Sequence, residues 1–332
     1  MALAATACTK SLAPTGNSSV TTSSQKTKIG IVLDKGGKDD KSFNGAAFAG
    51  ASLAEKELPI ELKVVESADD NAFEPSLRAF AEREYPLVIA IGFAQVDALK
   101  KIAPQFPKTH FAIVDGTVDS PNTASLHFDE HEGSYLVGYL AGLVSKSKKV
   151  GFIGGMDVPL IRRFQMGYEA GAKAADPKIQ IVTNYAGVNS SAWTNPGRGK
   201  ELAIDQYSQK VDVIFAAAGA TGIGVFDAAE EKSAYVIGVD SNQDAIKPGR
   251  VLTSMLKRVD TAVYQIIKDQ IAQKFSPGSH SFGLKDKGID YSVDVSNQKL
   301  IAPYQSKLEA MKAKIMSGEV KVPDYYVVNK AK

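Results

Sequence analysis

Lys28-Ile-Gly-Ile-Val-Leu33, the loop Asp34-Lys-Gly-Gly-Lys-Asp-Asp-Lys-Ser-Phe-Asn44 and a helical stretch from about Ser42 to Glu57 set the pattern for the chain. A short apolar run of this kind reads as a strand buried on both faces. Gly36 and Gly37 mark a tight connection, and Ser42 is a good N-cap, which makes Phe43 the first helical residue. Working outward, strands are expected at Leu62–Val65, Leu87–Ile91, His110–Val114 and Ala124–Phe128, with helices at Phe73–Glu84 and Gln95–Ile102. The rhythm resumes with strands at Lys149–Ile153, Ile179–Asn184, Val211–Ala216 and Tyr235–Val239. Helices at Ile161–Ala175, Gly199–Ser208 and Gly222–Glu231 separate them, and Val251–Lys257 with Thr261–Ala272 adds another strand and helix. Strands alternating with helices mean α/β lobes, each a parallel sheet covered on both faces. Two doubly wound units are expected, one before and one after roughly residue 130.

The composition agrees. A chain of 332 residues suits two domains, and 44% hydrophobic with 23% charged residues is a globular mix. Thirty-nine Lys and Arg against 37 Asp and Glu leave +2, too little to favour nucleic acid as a partner. No apolar run reaches the roughly 18 residues of a membrane span. Neither GxGxxG nor GxxxxGK[ST] occurs; Gly219-Ala-Thr-Gly222-Ile-Gly224 fits neither phosphate fingerprint.

Ligands in open parallel sheets lie beyond the carboxyl ends of the strands. There the sequence places Asp34 to Asn44, Gly92-Phe93, Asp115-Gly116, Gly154 to Asp157, Gly187 to Trp193, Ala217 to Gly219 and Asp240-Ser241-Asn242. Carboxylates and amides bond hydroxyls and ring nitrogens, and aromatics stack on flat rings. With no histidine, cysteine or activated serine among them, these residues suit holding a neutral polar aromatic molecule, not breaking one. No cofactor, metal or catalytic residue is expected. Asp34, Asp97 and Asp157 read as helix caps. Phe43 faces the crevice as readily as the core, and Trp193, the sole tryptophan, is a lid or a loop anchor with equal weight. His127 and His131 have i, i+4 spacing, but His127 ends an apolar strand, so two solvated or capping histidines are expected.

Cys8 is the only cysteine, which excludes an internal disulfide and a thiolate zinc cluster. Met1 to Cys8 is small and apolar, and Thr9 to Lys26 is rich in Ser and Thr. Residues 1–26 are therefore expected to be the remnant of a lipoprotein signal, a lipid-bearing Cys8 and a flexible tether, although Ala5 stands where leucine is usual.

Several motifs carry a resemblance. Asp39-Asp40-Lys41-Ser42-Phe43-Asn44, Gly151-Phe-Ile-Gly-Gly-Met-Asp-Val-Pro159, Phe164-Gln-Met-Gly167-Tyr168-Glu-Ala-Gly171, Gly238-Val-Asp240-Ser-Asn-Gln243 and Ser254-Met-Leu-Lys257 occur in order from residue 27 onward. Together they resemble the basic membrane protein family, the purine nucleoside receptor lipoproteins of bacteria. Trp193 departs from that family, which more often has phenylalanine there. The resemblance implies a type I periplasmic-binding-protein fold: two doubly wound parallel-sheet lobes around a cleft, joined by three crossings. Residues 27–128 plus 251–285 would form the first lobe and 129–250 plus 286–332 the second. It also implies a monomeric, extracytoplasmic receptor of purine nucleosides that serves ABC permease subunits and meets the membrane only through a lipid on Cys8. Phe43 and Trp193 would sandwich the base. Asn44 and Asp115 would bond its edge, and Asp40, Asp240 and Lys257 the ribose; Gly92 and Gly219 would let the backbone approach the ligand. A sugar or signal receptor of the same fold, and a nucleoside hydrolase using calcium at Asp39-Asp40, are the competing readings. A transcription regulator would need a helix-turn-helix that residues 1–26 do not supply.

Overall fold

Each unit contributes five parallel strands, and the two sheets repeat one strand order. In a computed structural model, which describes residues 1, 2, 4 and 26–330, the chain runs β1 (Thr27–Leu33), α1 (Phe43–Glu57), β2 (Ile60–Glu66), α2 (Phe73–Glu82), β3 (Leu87–Ile91), α3 (Val96–Ile102), β4 (His110–Val114), β5 (Thr123–Phe128) and α4 (Glu130–Val144). It continues β6 (Lys149–Met156), α5 (Pro159–Ala175), β7 (Gln180–Gly187), α6 (Pro196–Ser208), β8 (Val213–Ala217), α7 (Gly222–Glu231), β9 (Tyr235–Asp240) and β10 (Val251–Lys257). Last come α8 (Val259–Ile271), β11 (Gly278–Phe282), β12 (Ile289–Tyr291), α9 (Gln298–Ile301), α10 (Gln305–Ser317) and α11 (Tyr325–Lys330). The first sheet is β11-β5-β4-β3-β1-β2 and the second β12-β10-β9-β8-β6-β7. β11 adds parallel to β5, and β12 antiparallel to β10.

The apolar runs are strands because both of their faces are covered. Ile29, Ile31, Val32 and Leu33 of β1 and all of β3 are buried. Gly30 interrupts β1 because α2 lies close: a Cβ there would meet the ring of Phe80. α4 and α5 approach as tightly, since a Cβ on Gly138 would strike the Tyr168 carbonyl and one on Gly171 the Tyr135 carbonyl.

The structure corrects one expectation: Val251–Lys257 belongs not to the first lobe but to the second, because β10 pairs in parallel with β9 and is the fifth strand of the second sheet. The first lobe resumes only with α8, which lies on α1, where Gly50 admits the Asp260 backbone. The physical reason is symmetry of burial. β9 would otherwise be an uncovered edge, and β10 supplies the role that β5 plays in the first sheet. Lys257 therefore comes from the second lobe. Residue 8, and with it the lipid-anchor reading, lies outside the described residues.

Candidate functional site

The carboxyl ends of both sheets face one interlobe cleft, and it gathers Asp40, Phe43, Asn44, Gly92 and Asp115 from the first lobe with Trp193, Gly219, Asp240 and Lys257 from the second. Asp34, Lys35, Phe93, Phe164 and Val239 line it as well. The shared topology explains the doubling. Gly92 after β3 and Gly219 after β8 both have positive φ, 109° and 56°. Asp115 after β4 and Asp240 at the end of β9 both have φ 65°, a left-handed conformation that aspartate tolerates better than most residues. Each sheet thus turns its chain sharply at the same two strand ends. Gly92 is obligatory for space too, because a Cβ would overlap the Asp34 carboxylate.

The loop after β1 is organised by Asp40, not by Ser42. Asp40 Oδ1 accepts the N–H groups of Ser42 and Gly45 at 2.8 and 2.9 Å, and Oδ2 accepts the Asn44 N–H and side-chain amide at 2.9 and 3.0 Å. The expected Ser42 cap is absent. Its hydroxyl instead crosses the cleft to donate to Asp240 Oδ2 at 2.5 Å. Ser241 donates to the Ser42 carbonyl and Gln243 to the Lys41 carbonyl, so this loop is a direct bridge between lobes. Asn44 Oδ1 accepts the Asp34 N–H at 2.8 Å. Both ends of the Asn44 amide are therefore committed locally.

Asp34 is not a cap. Its Oδ1 accepts the Lys35 N–H at 2.7 Å, and the carboxylate lines the cleft. Asp157 is also no cap, since it holds the Arg162 guanidinium through two bonds of 2.5 and 2.6 Å. Asp97 lies exposed in the first turn of α3 and makes no capping bond.

Trp193 ends a short 3-10 turn after β7. Asn189 accepts the Ser191 N–H, and Thr221 donates to the Ala192 carbonyl, which pins the turn to the start of α7. The indole lies on Gly155, where any Cβ would overlap it. It meets Phe93 edge-on, with centroids 6.3 Å apart and planes at 75°. Trp193 is both anchored and part of the cleft wall. Phe93 joins Phe43 and Trp193 as a third aromatic of the cleft, and its place beside Gly92 at a strand end is the sequence signal for it.

Lys257 Nζ bonds Asp115 Oδ2 at 2.5 Å and Glu130 Oε1 at 3.0 Å. Its ammonium lies 5.3, 5.2 and 5.5 Å from the ring centres of Phe43, Phe128 and Phe164. Burial alone would lower its pKa, but the carboxylates of Asp115, Glu130 and Asp240 outweigh that and raise it. The ammonium therefore stays charged. Desolvation lifts Asp34 and Asp240 to about 7 and Asp115 to about 6, Lys257 restraining the last two. Asp115 Oδ1 is buried with no hydrogen-bond partner among the described residues. A buried acceptor in that state is costly unless a donor reaches it.

The family described as "ABC transporter substrate-binding protein PnrA-like" matches residues 26–325, and the chain belongs to it. "CD4+ T-cell-stimulating antigen" of Listeria monocytogenes is 36% identical, covering 91% of this chain and 89% of that one. "Basic membrane protein A" of Borreliella burgdorferi is 32% identical over 89% and 87%. "ABC transporter nucleoside-binding protein BmpA" of Lactococcus lactis is 32% identical over 89% of each. A solute-binding protein from Aeropyrum pernix superposes with a TM-score of 0.81 at 29% identity, covering 91% of this chain and 96% of that one. The protein is therefore the extracytoplasmic substrate-binding component of an ABC transporter, a binding protein and not an enzyme, whose partners are permease subunits. No helix among the described residues is long and apolar enough to cross a membrane.

Proposed function

We propose that the cleft captures purine nucleosides for import. The observation that carries this reading is the combination, in one cleft, of aromatic walls from both lobes with four buried carboxylates, Asp34, Asp40, Asp115 and Asp240, and one fixed ammonium. A base is flat and offers N–H donors, and a ribose offers hydroxyls. The lactococcal relative's name supports the same reading. Phe43 and Trp193 stack on the base. The local bonds of Asn44 and Asp40 shift the weight of base recognition toward Asp34 and Asp115. Asp240 and Lys257 take the ribose. Cys8 carries the lipid that holds the protein at the outer face of its membrane.

Mass spectrometry of ligand released from denatured, freshly purified protein is expected to find an intact purine nucleoside. Calorimetry is expected to rank nucleoside well above free base, ribose and nucleotide, because a phosphate would meet the charge of Asp240 and Asp40. A nucleotide that binds tighter than its nucleoside would refute the assignment.

Affinity should also depend on pH. N–H and O–H donors bind the ionised form of Asp34, Asp115 and Asp240, whose pKa values lie at about 7, 6 and 7. Binding should be strongest above pH 8 and weaken as pH falls through 7 to 5, by about tenfold per unit below the pKa of each carboxylate that must ionise. Protons should be released on binding at neutral pH and not at high pH, measurable by calorimetry in buffers of different ionisation enthalpy. The stability of the ligand-free protein has the opposite sign. A carboxyl whose pKa is raised on folding contributes stability below its unfolded value of about 4 and loses it as pH rises through 7. A flat affinity profile from pH 5 to 8 would contradict this.

A further inference from the structure

A chain of buried charges leads from the cleft to the last helix. Lys257 and Glu130 are each 1% exposed, and Glu130 lies between two cations. Its Oε1 is 3.0 Å from Lys257 Nζ, and its Oε2 accepts from Arg163 Nη1 at 2.6 Å. Arg163 then forks onto Asp324, with Nε to Oδ1 at 2.8 Å and Nη2 to Oδ2 at 2.9 Å. It also donates to the Phe128 carbonyl and to Asp129, where the chain passes from the first lobe to the second. His131 Nδ1 is 3.1 Å from Nη2, and the Tyr326 ring centre is 4.9 Å from the guanidinium.

A lysine ammonium is a mobile point charge on a four-carbon stem. Here it has three N–H donors, and Asp115 and Glu130 take two of them. The third is left for the cleft. Glu130 can hold its place only because Arg163 neutralises its other oxygen, and Arg163 is oriented by the bidentate grip of Asp324. None of these three residues lines the cleft.

We propose that Glu130 and Arg163 are positioning residues that aim the Lys257 ammonium at the ligand's hydroxyls, and that Asp324 couples the segment before α11 to ligand affinity without touching the ligand. This rests on the nucleoside reading for the identity of the hydroxyls. Inosine and hypoxanthine are suitable probes, because they share a base and differ in the ribose that Lys257 would meet. Glu130→Gln should lower the ratio of inosine to hypoxanthine affinity by about tenfold and Asp324→Asn by about threefold, within the usual coupling range for neighbouring charged groups. A merely structural loosening would weaken both probes equally, so an unchanged ratio in both variants overturns the proposal. If Glu130→Gln fails to fold, Asp324→Asn decides, since that side chain sits at the partly exposed end of the network. A second readout needs no ligand. The Lys257 ammonium should give a sharp NMR signal in the wild-type protein that broadens or disappears in each folded variant, and its persistence in Asp324→Asn also overturns the coupling. If the wild-type protein binds neither probe, the nucleoside reading falls, and the ammonium signal still decides the positioning.

Discussion

Lys257→Met is expected to abolish measurable nucleoside binding and to lower stability by about 3–5 kcal/mol, the cost of removing one partner from a buried ion pair. Methionine fills a similar volume between Phe43, Phe128 and Phe164, so the loss is electrostatic. Asp115 and Glu130 would remain buried beside each other without the ammonium that separates them at 2.5 and 3.0 Å. The sign of the pH dependence follows. Without Lys257, the Asp115 carboxyl loses the charge that holds its pKa down to about 6. It would then be protonated at higher pH, and the deficit relative to wild type should shrink as pH falls toward 5. Urea melts at pH 5 and 8 measure this. A variant within 1 kcal/mol of wild type at pH 8, with nucleoside still bound, would show that the ion pair neither holds the lobes nor serves the ligand. Because Asp115 stands at the end of β4 and Lys257 at the end of β10, the same substitution also removes a bond between lobes.

The parallel sheets were legible because β1, β3, β4, β6, β8 and β9 are short, largely apolar runs buried along most of their length, and such runs survive almost any tertiary context. α4 was not, since it is buried around most of its circumference at Tyr135, Leu136, Val137, Leu140 and Ala141, and so shows no clean periodicity. β11 is a polar edge strand, Gly-Ser-His-Ser-Phe, with no alternation to read. The place of β10 could have been found by counting, because a second unit built like the first needs a fifth strand. The cleft itself was legible from the rule that ligands sit at strand carboxyl ends, which marks Phe43, Gly92, Asp115, Gly219 and Asp240 without any three-dimensional information. The division of labour among the aspartates was not. Asp34 and Asp40 stand in one loop and look alike in sequence; only folding shows that Asp40 spends both oxygens on backbone and amide N–H groups while Asp34 faces the cleft. Glu130, Arg163 and Asp324 are far apart along the chain, and no local pattern links them. Phe164 is a buried residue of α5, and only folding shows that its ring flanks the Lys257 ammonium.

Trp193→Ala is expected to weaken nucleoside binding by about 5-fold to 150-fold, because stacking a base on an aromatic ring contributes roughly 1–3 kcal/mol. Trp193→Phe should be mild, since a phenyl ring still stacks and leaves a partial gap. The packing of the indole sharpens the test. It rests on Gly155 and meets Phe93 of the other lobe at 6.3 Å, so it is a preformed wall and need not be ordered by the ligand. The turn that carries it is held by Asn189 and Thr221 through bonds the substitution does not touch. Loss of the indole should therefore cost affinity more than stability. As the sole tryptophan, Trp193 also reports on its own contact. Emission should change saturably on adding nucleoside, with the midpoint that calorimetry gives. If the alanine variant lost thermal stability while keeping its affinity, and the ligand left wild-type emission unchanged, Trp193 would be a loop anchor alone. The base would then have to stack elsewhere, and Phe93, already edge-on to the indole in the wall of the same cleft, would be the aromatic to substitute next.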